Sequence, residues 1–366
     1  MAMATRLSTL GRIAREPFRI DGTALQPNVL LMAKLIVIGL VLKGYHNGFP
    51  NAFAPFFSIF DALPEPAFRR TLKAVFLVSA TCLLFNRAVR IQCGIIGAVF
   101  LLGVLSSKVY YRNAIVFVSM IFLLTSLQER GRAPRLLYWQ LGVMYLGAGL
   151  NKLCDPDWQT GQYFHYFLGS VFQSDIYLSL APVFPGKSLA AAMCWWIIAA
   201  ELCAGVLFFV PRRHDAAVWF AASVHVGAAF LVIGDYGIFM SAVLASYLCV
   251  VRWPDEMKVR FDRTTWMGNI ARAYRWLDMN RAHAWQEQPG PLIWTAGARH
   301  AEGWKALLCI AIYSPSTYFV AMVLLTIRYE PWRVVAVRGA GIAGIVLLSV
   351  LLAQRVFTWK RLASST

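Results

Sequence analysis

Few side chains in this sequence have both the type and the setting to do chemistry, and the clearest of them sit inside apolar runs. Glu201 lies deep in WWIIAAELCAGVLFF, and His225 falls near the middle of WFAASVHVGAAFLVIG. A charged group at the centre of such a run costs about 2.5–3.5 kcal/mol on insertion scales, so it faces protein, water or a partner rather than lipid. Two consecutive antiparallel helices would hold Glu201 and His225 at similar depth, which leads us to expect a carboxylate–imidazole pair. Such a pair either fixes helix packing by a hydrogen bond or handles protons.

Lys152 ends the run LYWQLGVMYLGAGLNKL and is followed directly by CDPDW. Tyr145, Gly149 and Lys152 share one helical face at i, i+4 and i+7, and the glycine admits close approach of another helix or a ligand. Lys152 either snorkels to an interface or, partly desolvated, serves as a base; Asp155 and Asp157, if near, would oppose the second role. Lys34 and Lys43, and Arg112 with Asn113, are expected to anchor topology or to line the same interior. Asp235, in GDYG, reads as a helix-end turn residue on the same side as Lys152. Trp158, Tyr163, His165 and Tyr166 read as an interfacial aromatic belt, with a metal or cofactor role for His165 as the alternative. Seven cysteines, none in a CxxC, give no disulfide framework, redox pair or thiolate zinc site.

These groups must be positioned by elements dissolved mostly in lipid. Of 366 residues, 58% are hydrophobic and only 14% charged, against about a quarter charged in water-soluble domains, which excludes an ordinary cytosolic enzyme. The expected fold class is an all-α polytopic membrane protein, a bundle of about eight transmembrane helices with a small cytoplasmic C-terminal α or α/β domain. The expected spans are 28–46, 72–86, 89–107, 112–127, 136–153, 188–210, 215–234 and 237–252. No cleavable secretion signal precedes them in residues 1–27, which form a cytoplasmic N-terminal segment.

The net charge of +17 is explained by positive-inside loops, without a nucleic-acid partner. A cytoplasmic N-terminus places Arg6, Arg12, Arg15 and Arg19, then Arg87 and Arg90, Arg130, Arg132 and Arg135, Arg212 and Arg213, and Arg252 inside. The large opposite loop, 154–187, holds Asp155, Asp157 and Asp175 but only Lys187. Arg69 and Arg70 are exceptions to this asymmetry. Both termini are therefore expected in the cytoplasm.

Beyond the bundle of residues 28–252, composition shifts to a charged, aromatic tail, 253–366. Two apolar runs within it, 306–327 and 339–353, read as helices packed on a domain or lying at the interface. A further membrane hairpin over 306–353 is the alternative, opposed by Pro315 and by Arg328, Arg333 and Arg338.

The stretch QLGVMYLGAGLNKLCDPDWQTGQYF, Gln140 to Phe164, resembles the most characteristic segment of the HTTM family, the membrane module shared with vitamin K-dependent gamma-carboxylase. The matching residues are Tyr145, Ala148-Gly149, Lys152-Leu153, Asp157-Trp158 and Gly161, with one residue more between Trp158 and Gly161 than the commonest form. The resemblance extends over roughly residues 28–252 through an acidic residue in the following span, Glu201, and a histidine in the next, His225. It implies that Lys152 is the base that deprotonates a reduced, quinone-like or lipid co-substrate, with Glu201 and His225 beside it and Tyr145, Gly149, Asp157 and Trp158 in substrate binding. It also implies a bacterial inner (cytoplasmic) membrane location. With no counterpart of the carboxylase's large lumenal region, gamma-glutamyl carboxylation itself is not implied.

The tail VRFDRTTWMGNIARAYRWLDMNRAH, with GWKALLCI and a final LLAQR, resembles the thiol-disulfide oxidoreductase DCC family, which carries an Asp-Gly-x-Cys-x-x-Cys segment. Here Asp262 remains, Arg263 replaces the glycine, and Thr265 and Gly268 occupy the cysteine positions, so dithiol chemistry is excluded. The expectation is a membrane enzyme using Lys152 as base at the outer face, or alternatively a non-catalytic anchor or assembly subunit that binds a protein partner through its tail.

Overall fold

The computed structural model describes residues 15–50, 54–62, 65–231, 237–279 and 281–326. The chain is mostly helical, with one small mixed sheet. In order, the helices are α1 (Pro27–Leu42), α2 (Glu65–Leu84), α3 (Val89–Ser106), α4 (Asn113–Ser126), α5 (Arg135–Leu153), α6 (Pro156–Gln159), α7 (Gln162–Tyr166), α8 (Asp175–Leu180), α9 (Ser188–Phe209), α10 (His214–Leu231) and α11 (Gly237–Ser246). Strand β1 (Met257–Phe261), helix α12 (Trp266–Leu277), strands β2 (His283–Glu287), β3 (Ile293–Ala296) and β4 (Arg299–Glu302), and helices α13 (Trp304–Ile312) and α14 (Pro315–Thr326) follow.

Each of the eight expected runs overlaps a helix. By length and composition, two of them, α3 and α9, are long and apolar enough to cross a membrane; α1, α4 and residues Ile238–Val250 are apolar but shorter. The run 306–327 is two helices, α13 and α14, meeting at 71°. The bend falls where Pro315 opens α14 after Ser314, since proline cannot continue a helix but fits its first turn. Asp235, the run 339–353, Arg328, Arg333, Arg338 and the final LLAQR lie outside the described residues.

The chain divides into two compact units, one of residues 1–134 and 241–326, the other containing residues 135–240. In the first, α1 is apolar on all sides and buried along most of its length, as expected of a helix surrounded by protein. Lys34, fully buried on it, donates to the carbonyls of Pro17 and Arg19 at 2.8 and 2.7 Å. It satisfies the carbonyls of the N-terminal segment folded back along α1. Asn28 similarly donates to Leu248 and Cys249 carbonyls at 3.1 and 3.0 Å. Helices α3 and α4 approach so closely that a Cβ on Gly97 would lie 2.8 Å from the Leu123 nitrogen, and Ser119 donates to the Gly97 carbonyl at 2.8 Å. Helix α14 packs on α1, with Phe18 edge-on to Phe319 at 5.1 Å.

The sheet of this unit has the order β2-β1-β3-β4, with β1 parallel to β2 and antiparallel to β3. Met257, Val259 and Phe261 alternate inward on β1 and meet Ala271 of α12, Trp294, and Ala306 and Ile310 of α13 in one core. Thr265 caps α12, accepting the Gly268 N–H at 3.0 Å and donating to the Asp262 carbonyl at 2.9 Å. A Cβ on Gly268 would sit 1.7 Å from that same carbonyl oxygen, so no side chain fits there. The Asp262 carboxyl is held below the usual range by the N–H and hydroxyl of Thr264 and the N–H of Gly290.

At the end of α12 the buried Asp278 carboxylate accepts from the Ala282 and His283 N–H groups and the Trp285 indole, with His283 Nδ1 at 3.6 Å. Burial alone would raise this carboxyl, but the bonds from His283, Trp285 and Ala282 outweigh it and leave it below its ordinary value. The ionised form therefore stabilises the fold above the ordinary carboxylate value of about 4, and that contribution is lost as pH falls through and below it. Asp278→Asn is expected to weaken the tail domain by about 1–3 kcal/mol at neutral pH and to flatten its acid sensitivity. Hydrogen exchange of β1–β3 peptides in the full chain between neutral and acidic pH measures both; identical profiles for wild type and variant would contradict this role.

Candidate functional site

The second unit is organised by α5 and α9, which pack through glycines. A Cβ on Gly142 would lie 2.5 Å from the Phe209 ring, one on Gly149 2.9 Å from Leu202, and one on Gly205 2.8 Å from the Leu146 nitrogen. Removing side chains at these points lets two helices run in close contact, the small-residue packing typical of apolar environments. Lys152 can therefore reach across to α9.

Its ammonium donates to both carboxylate oxygens of Glu201, at 2.7 and 2.9 Å. The side chains are only 20% and 9% exposed, so this is a largely buried, two-pronged ion pair. The Trp158 ring lies 5.1 Å from the Lys152 ammonium and supplies a cation–π contact. Trp158 in turn stacks on Tyr163 at 4.7 Å and tilts against Phe164.

The segment after α5 is pinned to hold Trp158 there. Asp155 caps α6 by accepting the Asp157 N–H at 2.9 Å, and Gln159 donates to the Leu153 carbonyl at 2.6 Å. Trp195 of α9 donates its indole N–H to the Gln159 carbonyl at 3.1 Å. Gly161, with φ +76°, sits so close to α9 that a Cβ would lie 2.4 Å from the Ala191 nitrogen, so both its backbone angle and its surroundings require glycine.

Tyr145, seven residues and roughly 10 Å along α5 from Lys152, makes a 2.7 Å hydrogen bond with His225 Nε2. Its ring stacks on Phe208 at 6.1 Å.

The expected Glu201–His225 pair is thus replaced by two pairs, Lys152–Glu201 and Tyr145–His225. Matching depth in successive helices is satisfied by Glu201 on α9 with either α5 or α10, and the long lysine stem folding inward toward α9 decides it. Lys152 faces protein instead of snorkelling outward. Asp157 is exposed on α6, and Lys152 pairs with Glu201 rather than with Asp155 or Asp157. Gly149 serves helix contact with Leu202. His165 bonds Tyr177 at 2.6 Å, and among the described residues no group of three or more potential metal ligands occurs. Sequence reasoning did not identify the cation–π contact of Trp158 or the structural demand on Gly161 and Gly205. A signal for the ion pair was present, since Lys152 and Glu201 are opposite charges in successive apolar helices.

No family model, no curated protein and no solved structure matches this chain.

The glycine contacts separate three substitutions. Gly161→Ala and Gly205→Val should each destabilise the fold by about 1–3 kcal/mol through overpacking. Gly147→Ala, on the open side of α5 where a Cβ meets nothing within 4 Å, should stabilise it by about 0.5–1 kcal/mol through helix propensity. Thermal unfolding of the detergent-solubilised chain reads the order; equal shifts at all three positions would contradict the packing described.

Proposed function

We propose that this chain is an integral membrane protein with both termini in the cytoplasm, and that Lys152 and Glu201 form the acid–base site of a membrane enzyme acting on a quinone-like or lipid co-substrate at the outer face. The observation that carries the reading is the ion pair itself, two opposite charges held 2.7 Å apart between apolar helices. The membrane reading is supported by the outer sides of α5 and α9, which expose Trp139, Val143, Leu150, Trp195, Trp196 and Val206, an apolar surface suited to lipid. The arginine distribution between loops favours the stated orientation.

The site suits an apolar molecule bearing an acidic hydroxyl. Trp158 offers an aromatic face beside the Lys152 ammonium, Lys152 retains partial access, and the pair is otherwise enclosed. A quinol-like co-substrate would supply a hydroxyl proton when bound. Glu201 orients Lys152 Nζ through both carboxylate oxygens. Passing one ammonium proton to Glu201 would free the Lys152 Nζ lone pair to take up the hydroxyl proton, while Glu201 holds the one it received. Tyr145–His225, on the same face of α5, offers a second pair, hydroxyl with imidazole, for holding protons. The resemblance around Lys152 points the same way.

A second reading, a non-catalytic anchor or assembly subunit with a protein partner at the tail, is favoured by one observation. The sheet order and the parallel β1–α12–β2 unit suit a thiol oxidoreductase scaffold, yet Gly268 admits no side chain where the second cysteine would stand.

Lys152→Arg distinguishes the readings, because arginine keeps the ion pair but is effectively always protonated. In cells lacking the protein, comparison of lipid extracts after complementation should show wild type restoring the profile, and Lys152→Arg, Lys152→Met and Glu201→Gln failing by about 100-fold or more, the scale of a lost general base. An arginine variant as effective as wild type would make the pair structural and favour the anchor.

A further inference from the structure

Helix α12 turns Gly268 and Ala271 into the domain core and leaves a broad face uncovered. Trp266 is 64% exposed, Ile270 38% and Trp276 78%, and at 100° per residue the three fall within an arc of about 120°. Trp304, 56% exposed, opens α13, and Gly303 before it abuts Met267 of α12, so Trp304 extends the apolar patch at the N-terminal end of the helix. Arg272 is exposed about 40° beyond Trp276 at the border of the same arc, Arg275 is exposed farther round the helix, and α12 contains no acidic residue. The nearby carboxylates are engaged elsewhere: Asp262 with Thr264 and Gly290, Asp278 in its buried cluster, Glu287 with Arg263, and Glu302 with His300.

Three open tryptophans on a small domain mark a surface that is covered in use. Tryptophan and isoleucine flanked by arginine along one helix is the composition of helices that lie in the plane of a membrane interface, and arginine matches anionic headgroups. Chain connectivity brings that interface within reach. The apolar turn Tyr247–Val250 packs on α1 six residues before β1, and α14, directly after α13, packs on α1 as well.

We propose that the outer face of α12, together with Trp304, docks on an anionic lipid surface of the membrane that holds the rest of the chain. Trp266, Ile270, Trp276 and Trp304 enter the headgroup boundary while Arg272 at its border meets lipid phosphate. The inference rests on the membrane reading above and goes beyond it, since it assigns the tail a lipid surface instead of a protein partner.

Hydrogen exchange of the full chain in nanodiscs tests it, comparing phosphatidylcholine with an equimolar phosphatidylcholine–phosphatidylglycerol mixture. Amides of residues 266–277 are expected to exchange more slowly in the anionic discs. Arg272→Gln should weaken that protection by about fivefold, the equivalent of about 1 kcal/mol per basic residue near an anionic surface, and Arg275→Gln by less, with β1 amides unchanged as the control for folding. Equal exchange in both lipids, or protection that appears only when cytosolic protein is added, would overturn the proposal. Peptides of α3 and α9 separate the two failures. If they stay protected by lipid while α12 does not, the docking surface alone fails; if they exchange as fast in discs as without lipid, the membrane reading fails and the docking surface with it.

Discussion

Holding an ammonium and a carboxylate together between apolar helices is the constraint on which the second unit depends. Desolvating two ions costs several kcal/mol each, and their attraction offsets this only when geometry is tight and the remaining bonding capacity is met. The chain meets that demand by removing side chains. Gly149 and Gly205 bring α5 against α9, and Gly161 brings the following segment onto α9. Trp158 then lies over the Lys152 ammonium, and Glu201 uses both oxygens. A pair assembled with this much supporting structure is weak evidence for stability, because apolar residues of similar size would do as well, and stronger evidence for use.

The tail domain meets a different problem, that of keeping a buried carboxylate ionised. Asp278 does so with donors from the turn and strand that follow it, and in doing so fixes where β2 begins beside β1. At the other end of α12, Thr265 and Gly268 close the helix start onto the Asp262 carbonyl.

The helices were legible because hydropathy and stop signals are one-dimensional. The runs 89–107, 136–153 and 188–210 became α3, α5 and α9 with boundaries shifted by a residue or two. Pro315 with its serine neighbours marked the bend between α13 and α14. Partnerships were less legible, because a sequence gives depth along a helix but not the direction a long side chain takes. Glu201 was at the right depth for His225 and for Lys152, and the choice depended on how closely α5 approaches α9. Lys34 read as an anchor because nothing in one dimension says that Pro17 and Arg19 fold back upon it. In the tail, the β1 alternation of Met257, Val259 and Phe261 was present in the sequence, but it was obscured by the surrounding charged and aromatic residues.

We propose that the Lys152–Glu201 pair receives an acidic, lipid-soluble molecule. Native mass spectrometry of the protein released gently from its own membrane, wild type beside Lys152→Met, tests it most directly. One apolar molecule with an ionisable hydroxyl is expected in stoichiometric amount on the wild type and missing from the variant. The same bound molecules in both samples, or bulk phospholipid alone, would contradict it and leave the pair as a packing element.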